Sequence, residues 1–240
     1  MASRARRLSI FGLTAGLVQA AVPAPVAADP LSALGQPMQI ALFLGALSLL
    51  PAIIMSVTPF LRITLVLHFL RQALGTQTAP SNQVLLGLAL FLTAAVTQPL
   101  ASQLHEQSWA PYRAGRKTIE QAASDGAGPL RTFLLKFAKE KDIGLMIEIS
   151  KTIPPKTSAT LDLRILIPAY MLSELRVGFQ IGAVLFFPFL VIDLVVASVT
   201  LAVGMVQLPP AMVAAPFKIL LFVLVDGWNL VVGSLVRSFA

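Results

Sequence analysis

The chain has 240 residues, of which 56% are hydrophobic and only 12% are charged. Because about a quarter of the residues in a soluble globular domain are charged, this composition excludes an ordinary soluble protein and predicts a polytopic membrane protein. The formal net charge is +7, but the basic residues lie mainly in one loop, which argues against a nucleic-acid partner. There is no cysteine, so disulfides and thiolate sites are excluded. His68 and His105 are too few and too scattered for a metal site.

Residues 1–28 have the three parts of a cleavable secretory signal peptide. Three arginines between positions 4 and 7 precede an apolar stretch, and Val26-Ala27-Ala28 supplies the small residues of a cleavage site. An uncleaved first membrane helix is the alternative. The two prolines that follow the apolar stretch, and the shortness of that stretch, favour cleavage. The mature chain would then begin near Asp29, outside the cytoplasm.

Four apolar segments predict an all-α fold of membrane-spanning helical hairpins. The segments cover residues 38–57, 84–100, 177–203 and 217–236. The region after the first segment is predicted to be a short polar connection. Its formal charges, Arg62 and Arg71, place it on the cytoplasmic side by the positive-inside rule. The apolar run from Ile63 to Leu67 leaves open a longer or bent first helix.

The spans divide the mature chain into three predicted regions. They are an N-terminal hairpin over residues 29–101, an extracytoplasmic helical region over residues 102–177, and a C-terminal hairpin over residues 178–240 with its loop at residues 204–216. In the middle region apolar side chains recur at three- and four-residue steps, which predicts one amphipathic helix from Leu130 to Ile149, packed against a partner. The apolar positions are Leu130, Phe133, Leu134, Phe137, Ile143 or Leu145, and Met146.

Three ionisable residues, Asp193, Lys218 and Asp226, lie in the C-terminal hairpin. Both carboxyl groups lie roughly 15 Å from the hairpin tip, at the helical rise of 1.5 Å per residue. Unpaired carboxylates at that depth in lipid are costly, so buried polar partners on other helices or subunits are predicted. Lys218 and Asp226 are about 12 Å apart along one helix axis, too far for a simple pair. A proton or ion relay is the alternative, because intramembrane carboxyl groups commonly mark ion pathways.

The sequence offers no convincing active site. The tip from Gly204 to Pro210 has no acid–base or nucleophilic group, and its spacing is compatible with either an interfacial loop or a gate. His105 and Glu106 begin a zincin-like motif, but Trp109 stands where the second histidine is needed. Nucleophile-elbow, Walker and dinucleotide-binding patterns are absent from the sequence. We therefore predict neither catalysis nor a cofactor, and an intramembrane hydrolase has almost no support.

Several long motifs in order resemble the FliP family of flagellar biosynthetic proteins. The strongest is PAYMLSELRVGFQIG at residues 168–182, and the C-terminal hairpin adds PFLVIDLVVAS at residues 188–198 and PFKILLFVLVDGW at residues 216–228. Upstream, TPFLRI at residues 58–63 and NQVLLGLALFL at residues 82–92 are similar to the same family. The likeness spans about residues 38–238.

This resemblance implies a subunit of the flagellar type III protein export gate. It implies a location in the bacterial inner membrane, in the flagellar basal body, with the external region in the periplasm. Several copies, a pentamer by this resemblance, would assemble with FliQ-like and FliR-like subunits and other membrane export-apparatus proteins. The assembly would form a channel for unfolded protein substrates. The equivalent gate subunit of a virulence-type injectisome is the nearest alternative, and the signal peptide and residues 102–177 favour the flagellar form.

The resemblance also assigns roles to individual positions. It implies that the hairpins lie largely in a protein assembly rather than in lipid, so Asp193 and Asp226 would have protein partners. A gate loop would comprise Met205, Val206, Gln207, Pro209 and Pro210. Only the first methionine of the family's methionine-rich gasket is retained there. Positions linked to subunit assembly correspond to Phe133, Met146 and Glu174, and Met146 replaces a residue that is commonly aromatic.

Overall fold

A computed structural model describes residues 35–76, 79–152, 160–205 and 209–239. The proposed signal peptide and the loop residues Val206 and Gln207 lie outside the described residues. The secondary structure of the described residues is helical throughout. Within these ranges, three helices are long and apolar enough to cross a membrane, and a bent pair of helices forms a fourth candidate span. The protein therefore has the all-α, polytopic membrane fold predicted from the sequence.

The chain divides into two compact units, residues 1–48 and residues 49–240. The described part of the first unit is the opening of helix α1. The helices are α1 (Gln36–Val57), α2 (Phe60–Ala73), α3 (Asn82–Leu104), α4 (Ala110–Arg113), α5 (Ile119–Phe137), α6 (Glu140–Ser150), α7 (Leu163–Ala202), α8 (Pro210–Leu224) and α9 (Gly227–Arg237). A π-helical turn, His105–Trp109, joins α3 to α4.

Helix α2 corrects the prediction of a polar connection after the first span. Its side chains Ile63, Val66 and Leu67 are fully buried. They form one face of the helix at three- and four-residue steps, and this face belongs to the main apolar core. Arg62 is also buried, so its charge does not lie in a water-exposed loop. The positive-inside rule counts charges in such loops, so Arg62 gives no support to the cytoplasmic placement, which stays a prediction.

Helix α7 organises the second unit. It has 40 residues, so it is about 60 Å long, twice the thickness of a hydrocarbon core of roughly 30 Å. Helix α2 packs closely along its first half. A Cβ atom on Gly178 would lie 2.8 Å from Leu65 Cδ2, and one on Gly182 would overlap the Phe69 ring. The two glycines therefore permit the close approach of α2 and α7.

The amphipathic segment predicted over residues 130–149 is two helices rather than one. Helix α5 starts at a capping box formed by Thr118 and Gln121 and ends at Phe137. The backbone leaves the helical conformation at Ala138, and the Lys139 amide donates to Ser173 Oγ on α7 at 2.9 Å. This side-chain acceptor replaces the intrahelical bond of a continuous helix, so α6 begins anew at Glu140. The apolar face packs on α7 as a second core around Leu134 and Tyr170.

The last predicted span, residues 217–236, is broken into α8 and α9, which meet at an angle of 66°. Asp226 lies at the break with a φ of 50°, in the left-handed region. Among residues other than glycine, Asp and Asn adopt this conformation most readily. A local backbone preference therefore overrides the continuous apolar pattern from which a single helix was predicted.

Candidate functional site

A buried ion pair joins α2 to the first half of α7. Arg62 Nη2 lies 2.5 Å from Glu174 Oε1, and the two side chains are 3% and 0% exposed. Charge neutralisation is the condition under which such groups are tolerated inside a protein. Removing one partner of a buried pair typically destabilises a protein by about 3–5 kcal/mol, because the remaining charge is left uncompensated.

The segment after α9 closes over the same arginine. Arg62 Nη1 donates to the Ser238 carbonyl at 3.3 Å and to Ser238 Oγ at 3.0 Å. The guanidinium carbon lies 4.0 Å from the centroid of the Phe239 ring, in cation–π geometry. Phe239 itself is buried and meets the Phe137 ring of α5 edge to face at 5.5 Å. Residues far apart in sequence thus surround one cation.

A second buried carboxylate fixes α6 to α7. Asp142 is fully buried, and its Oδ2 accepts a hydrogen bond of 2.7 Å from Ser173 Oγ. Its Oδ1 lies 2.5 Å from Arg176 Nη2. Because Ser173 also accepts from the Lys139 amide, this cluster holds the start of α6 in place. Ser173, Glu174 and Arg176 all belong to the motif at residues 168–182.

The three positions expected to serve subunit assembly lie on α5, α6 and α7, but they are not equally accessible. Phe133 and Met146 are half-buried and pack against the second core. The Phe133 ring centroid is 6.4 Å from that of Tyr170 on α7. Glu174, one turn beyond Tyr170, has no exposed surface in the single chain. Its carboxylate is therefore available to Arg62 but not to a neighbouring subunit in this conformation.

Two of the three ionisable groups of the C-terminal hairpin form an inter-helix pair. Lys218 Nζ of α8 donates to Asp193 Oδ2 of α7 at 2.7 Å. The pair is asymmetric, because the Lys218 side chain is 6% exposed and the Asp193 side chain is 35% exposed. The pair neutralises both charges within the chain and joins the second half of α7 to α8, while Asp193 Oδ1 is buried without a hydrogen-bond partner.

Asp226 differs from the buried position expected for it. Its side chain is exposed at the break between α8 and α9, and its Oδ2 accepts a hydrogen bond from Asn229 Nδ2 at 3.2 Å. The physical reason is the broken helix, which moves this residue out of the apolar span and into a turn. A partner for Asp226 on another subunit stays a prediction.

The described residues of the proposed gate loop lie at the junction of α7 and α8. Met205 is 42% exposed and lines a groove of about 490 Å³ between α7 and α8, together with apolar side chains that include Val199 and Phe217. Pro209 and Pro210 begin α8. This apolar groove is suited to packing. Among the described residues no group of three or more His, Asp or Glu side chains could hold a metal ion.

Comparison with known proteins identifies the family. The FliP family model matches residues 43–235. The flagellar biosynthetic protein FliP of Pectobacterium carotovorum is 43% identical over 97% of this chain and 94% of its own length. The proteins of the same name from Caulobacter vibrioides and Bacillus subtilis are 41% and 43% identical, over 98% and 84% of this chain and 91% of each relative. The chain belongs to the FliP family.

Sequence reasoning missed the two clusters that hold the FliP fold together here. Arg62 was assigned to a connection, and Asp142, Ser173 and Arg176 were not singled out. One signal was present in the sequence. Arg62 lies between the apolar residues Leu61 and Ile63, and a lone charge in such surroundings needs a partner of opposite sign. Which charges pair depends on the tertiary arrangement of α2, α6 and α7.

Proposed function

We propose that this chain is a channel-forming subunit of the flagellar type III export gate, which secretes flagellar components during flagellum assembly. The observation that carries the proposal is the similarity to flagellar biosynthetic protein FliP along nearly the whole chain. The chain is a membrane protein of the flagellar export apparatus. We further assign it to the bacterial inner membrane, with the region from α4 to α6 in the periplasm and no catalytic step of its own.

The exposed apolar surface supports a role in a larger assembly. Large apolar side chains along the second half of α7 have most of their surface uncovered in the single chain, among them Val184 at 75%, Phe187 at 66% and Leu194 at 61%. A soluble monomer rarely exposes a contiguous surface of this kind. FliQ-like and FliR-like subunits, further copies of this chain arranged as a pentamer, and lipid are the partners that we assign to it. Unfolded exported proteins would pass through the channel.

A proton or ion relay through the C-terminal hairpin receives less support. Asp193 and Lys218 neutralise each other at 2.7 Å, and Asp226 lies apart from them at an exposed helix break. A relay requires a connected set of groups that exchange protons, whereas a closed ion pair is a packing element. The pair therefore favours an inter-helix structural role for Asp193 and Lys218.

The decisive experiment deletes the chromosomal gene for this chain and measures motility and the secretion of flagellar proteins. We expect both to be lost, and both to return with the full-length chain. Co-purification with FliQ-like and FliR-like subunits, followed by mass measurement of the intact complex, gives the copy number. A strain that swims normally but fails to secrete effectors would instead identify the injectisome subunit.

The gating role proposed for the loop at residues 204–216 has its own test. Substituting Met205 with alanine removes the exposed, adaptable side chain at the tip without changing the charge. We expect the closed channel to leak small solutes, measured as dye or ion flux in cells that produce the assembled complex. Met55→Ala, at a partly exposed methionine of α1 outside this loop, is the matched control. Equal permeability of the two variants and the unmodified protein would show that this loop does not seal the channel.

A further inference from the structure

One of the two fully buried carboxylates in the described structure stands at a position that the proposed function assigns to subunit assembly. Glu174 is one of the three proposed assembly residues, yet its side chain is 0% exposed and contacts Arg62. A residue in this position does not reach a neighbouring subunit while the chain holds this conformation. Any effect of Glu174 on assembly has to pass through Arg62 and the groups that Arg62 contacts.

Those groups link regions that are distant in sequence. Arg62 binds Ser238, 176 residues away, through both the backbone carbonyl and the hydroxyl group. Phe239 covers the guanidinium, and its own carbonyl accepts a hydrogen bond of 3.4 Å from Lys136 Nζ at the end of α5. The ring of Phe137, the last residue of α5, packs on Phe239. Arg62 and the two residues after α9 therefore connect α2 to α5.

The break between α8 and α9 makes this connection possible. A single straight helix through both segments would carry Ser238 along the axis of α8. The 66° bend at Asp226 redirects α9 instead, and the chain after Arg237 then meets α2. The bend lies at Asp226, whose φ of 50° turns the backbone away from the axis of α8.

We infer that Glu174 and the Ser238–Phe239 segment form a socket for Arg62, and that this socket positions α5 for subunit assembly. Glu174 is then a positioning residue that acts inside one chain, and it makes no direct contact with a neighbouring subunit. The inference rests on the proposed function, because it assumes that this chain assembles with other subunits. Phe133 and Met146, half-buried on α5 and α6, remain accessible for the contact between subunits.

The test is a charge-compensation experiment on the full chain produced with its FliQ-like and FliR-like partners. Glu174→Leu leaves the buried Arg62 uncompensated, so we expect the yield of intact complex to fall at least about tenfold. The double variant Arg62→Leu with Glu174→Leu removes both charges, and we expect it to recover a large part of that yield. Native mass spectrometry of the purified complex measures the yield relative to total chain in the membrane.

The outcome of the double variant separates the two roles of Glu174. A carboxylate that binds a neighbouring subunit is still missing from the double variant, so a yield no higher than that of Glu174→Leu alone would overturn the inference. Failure of the unmodified chain to co-purify with the partners would instead count against the proposed function.

A second pair of variants tests the socket without altering either charge. Phe239→Ala uncovers the Arg62 guanidinium, whereas Phe239→Tyr keeps an aromatic face over it. We expect a several-fold loss of complex for the alanine variant and near-normal yield for the tyrosine variant. Equal yields of the alanine variant and the unmodified chain would show that the Ser238–Phe239 segment does not contribute to the socket for Arg62.

Discussion

The two halves of α7 differ in how far their side chains are buried within the chain. From Leu163 to Gly182 the helix buries Tyr170, Ser173 and Glu174 against α2, α5 and α6. From residue 183 onward, the buried positions are Phe189 and Thr200, and most of the large apolar side chains face outward. The first half therefore finds its partners within the chain, and the second half is left to find them in lipid or in other subunits.

This difference explains where polar residues are placed along the helix. Each ion pair made by the first half has a fully buried carboxylate, Glu174 with Arg62 and Asp142 with Arg176, although 32% of the Arg176 side chain is exposed. The polar pair of the second half, Asp193 with Lys218, is one-sided, since the lysine is buried and the aspartate is partly exposed. Inside a membrane or an assembly, the exposed side of Asp193 is the part that further subunits could cover.

The largest effect is expected from breaking the enclosed cluster of the first half. Asp142→Ala removes the acceptor of both Ser173 and Arg176 and leaves the buried Ser173 hydroxyl without that partner, so we expect the free energy of unfolding to fall by about 2–3 kcal/mol. Denaturant titration in detergent micelles measures it. Asp125→Ala is the matched control, because its pair with Lys117 is exposed on both sides, at 43% and 34%. That change should cost less than about 1 kcal/mol. Equal losses would show that burial does not distinguish the two aspartates.

A smaller effect is expected where the two halves of α7 meet. Gly182→Ala places a methyl group against the Phe69 ring, which packs edge to face on Phe179 at 5.4 Å. We expect a loss of about 1–3 kcal/mol from overpacking. Gly87→Ala in α3 meets no atom within 4 Å, so its higher helix propensity should make it neutral or stabilising by up to about 1 kcal/mol.

A compensating change tests the contact between Gly182 and the Phe69 ring. Phe69→Leu should restore part of the stability that Gly182→Ala removes, because the smaller side chain leaves space for the new methyl group. Additive losses in the double variant would place the effect of Gly182 elsewhere, in backbone flexibility rather than in the approach of α2 to α7.

These comparisons also show what the sequence was able to predict. Apolar length and composition predicted the all-α membrane fold, since spanning a bilayer requires long hydrophobic helices. Periodicity predicted the buried face of residues 130–146, but the break at Ala138 depends on a hydrogen bond from Lys139 to Ser173 on another helix. The pairing of Arg62 with Glu174 is likewise a property of the packed structure. A one-dimensional pattern gives the charge and its need for a partner, and only the fold gives the partner.

The smallest expected effect comes from the pair in the second half, and it depends on which partner is changed. Lys218→Met keeps the apolar stem and removes the charge, leaving Asp193 with 35% of its side chain exposed. Its Oδ1 is buried without a hydrogen-bond partner, but because the side chain as a whole is partly exposed, we expect the smaller loss of the two, within about 1 kcal/mol. Asp193→Asn instead leaves the ammonium of Lys218, whose side chain is 6% exposed, without a counter-charge. This second change should cost more, about 2 kcal/mol, in the same detergent titration.

Comparing the losses of Lys218→Met and Asp193→Asn tests whether Asp193 is the more exposed partner of the pair, as the contrast between the two halves of α7 requires. Equal losses would mean that Asp193 is enclosed as fully as Glu174, and the contrast between the halves would disappear. The same variants measured within the assembled complex sharpen the point. If a neighbouring subunit covers Asp193, the cost of Lys218→Met should rise on assembly, because the carboxylate then loses its access to solvent. A cost that does not change on assembly would mean that no neighbouring subunit covers Asp193.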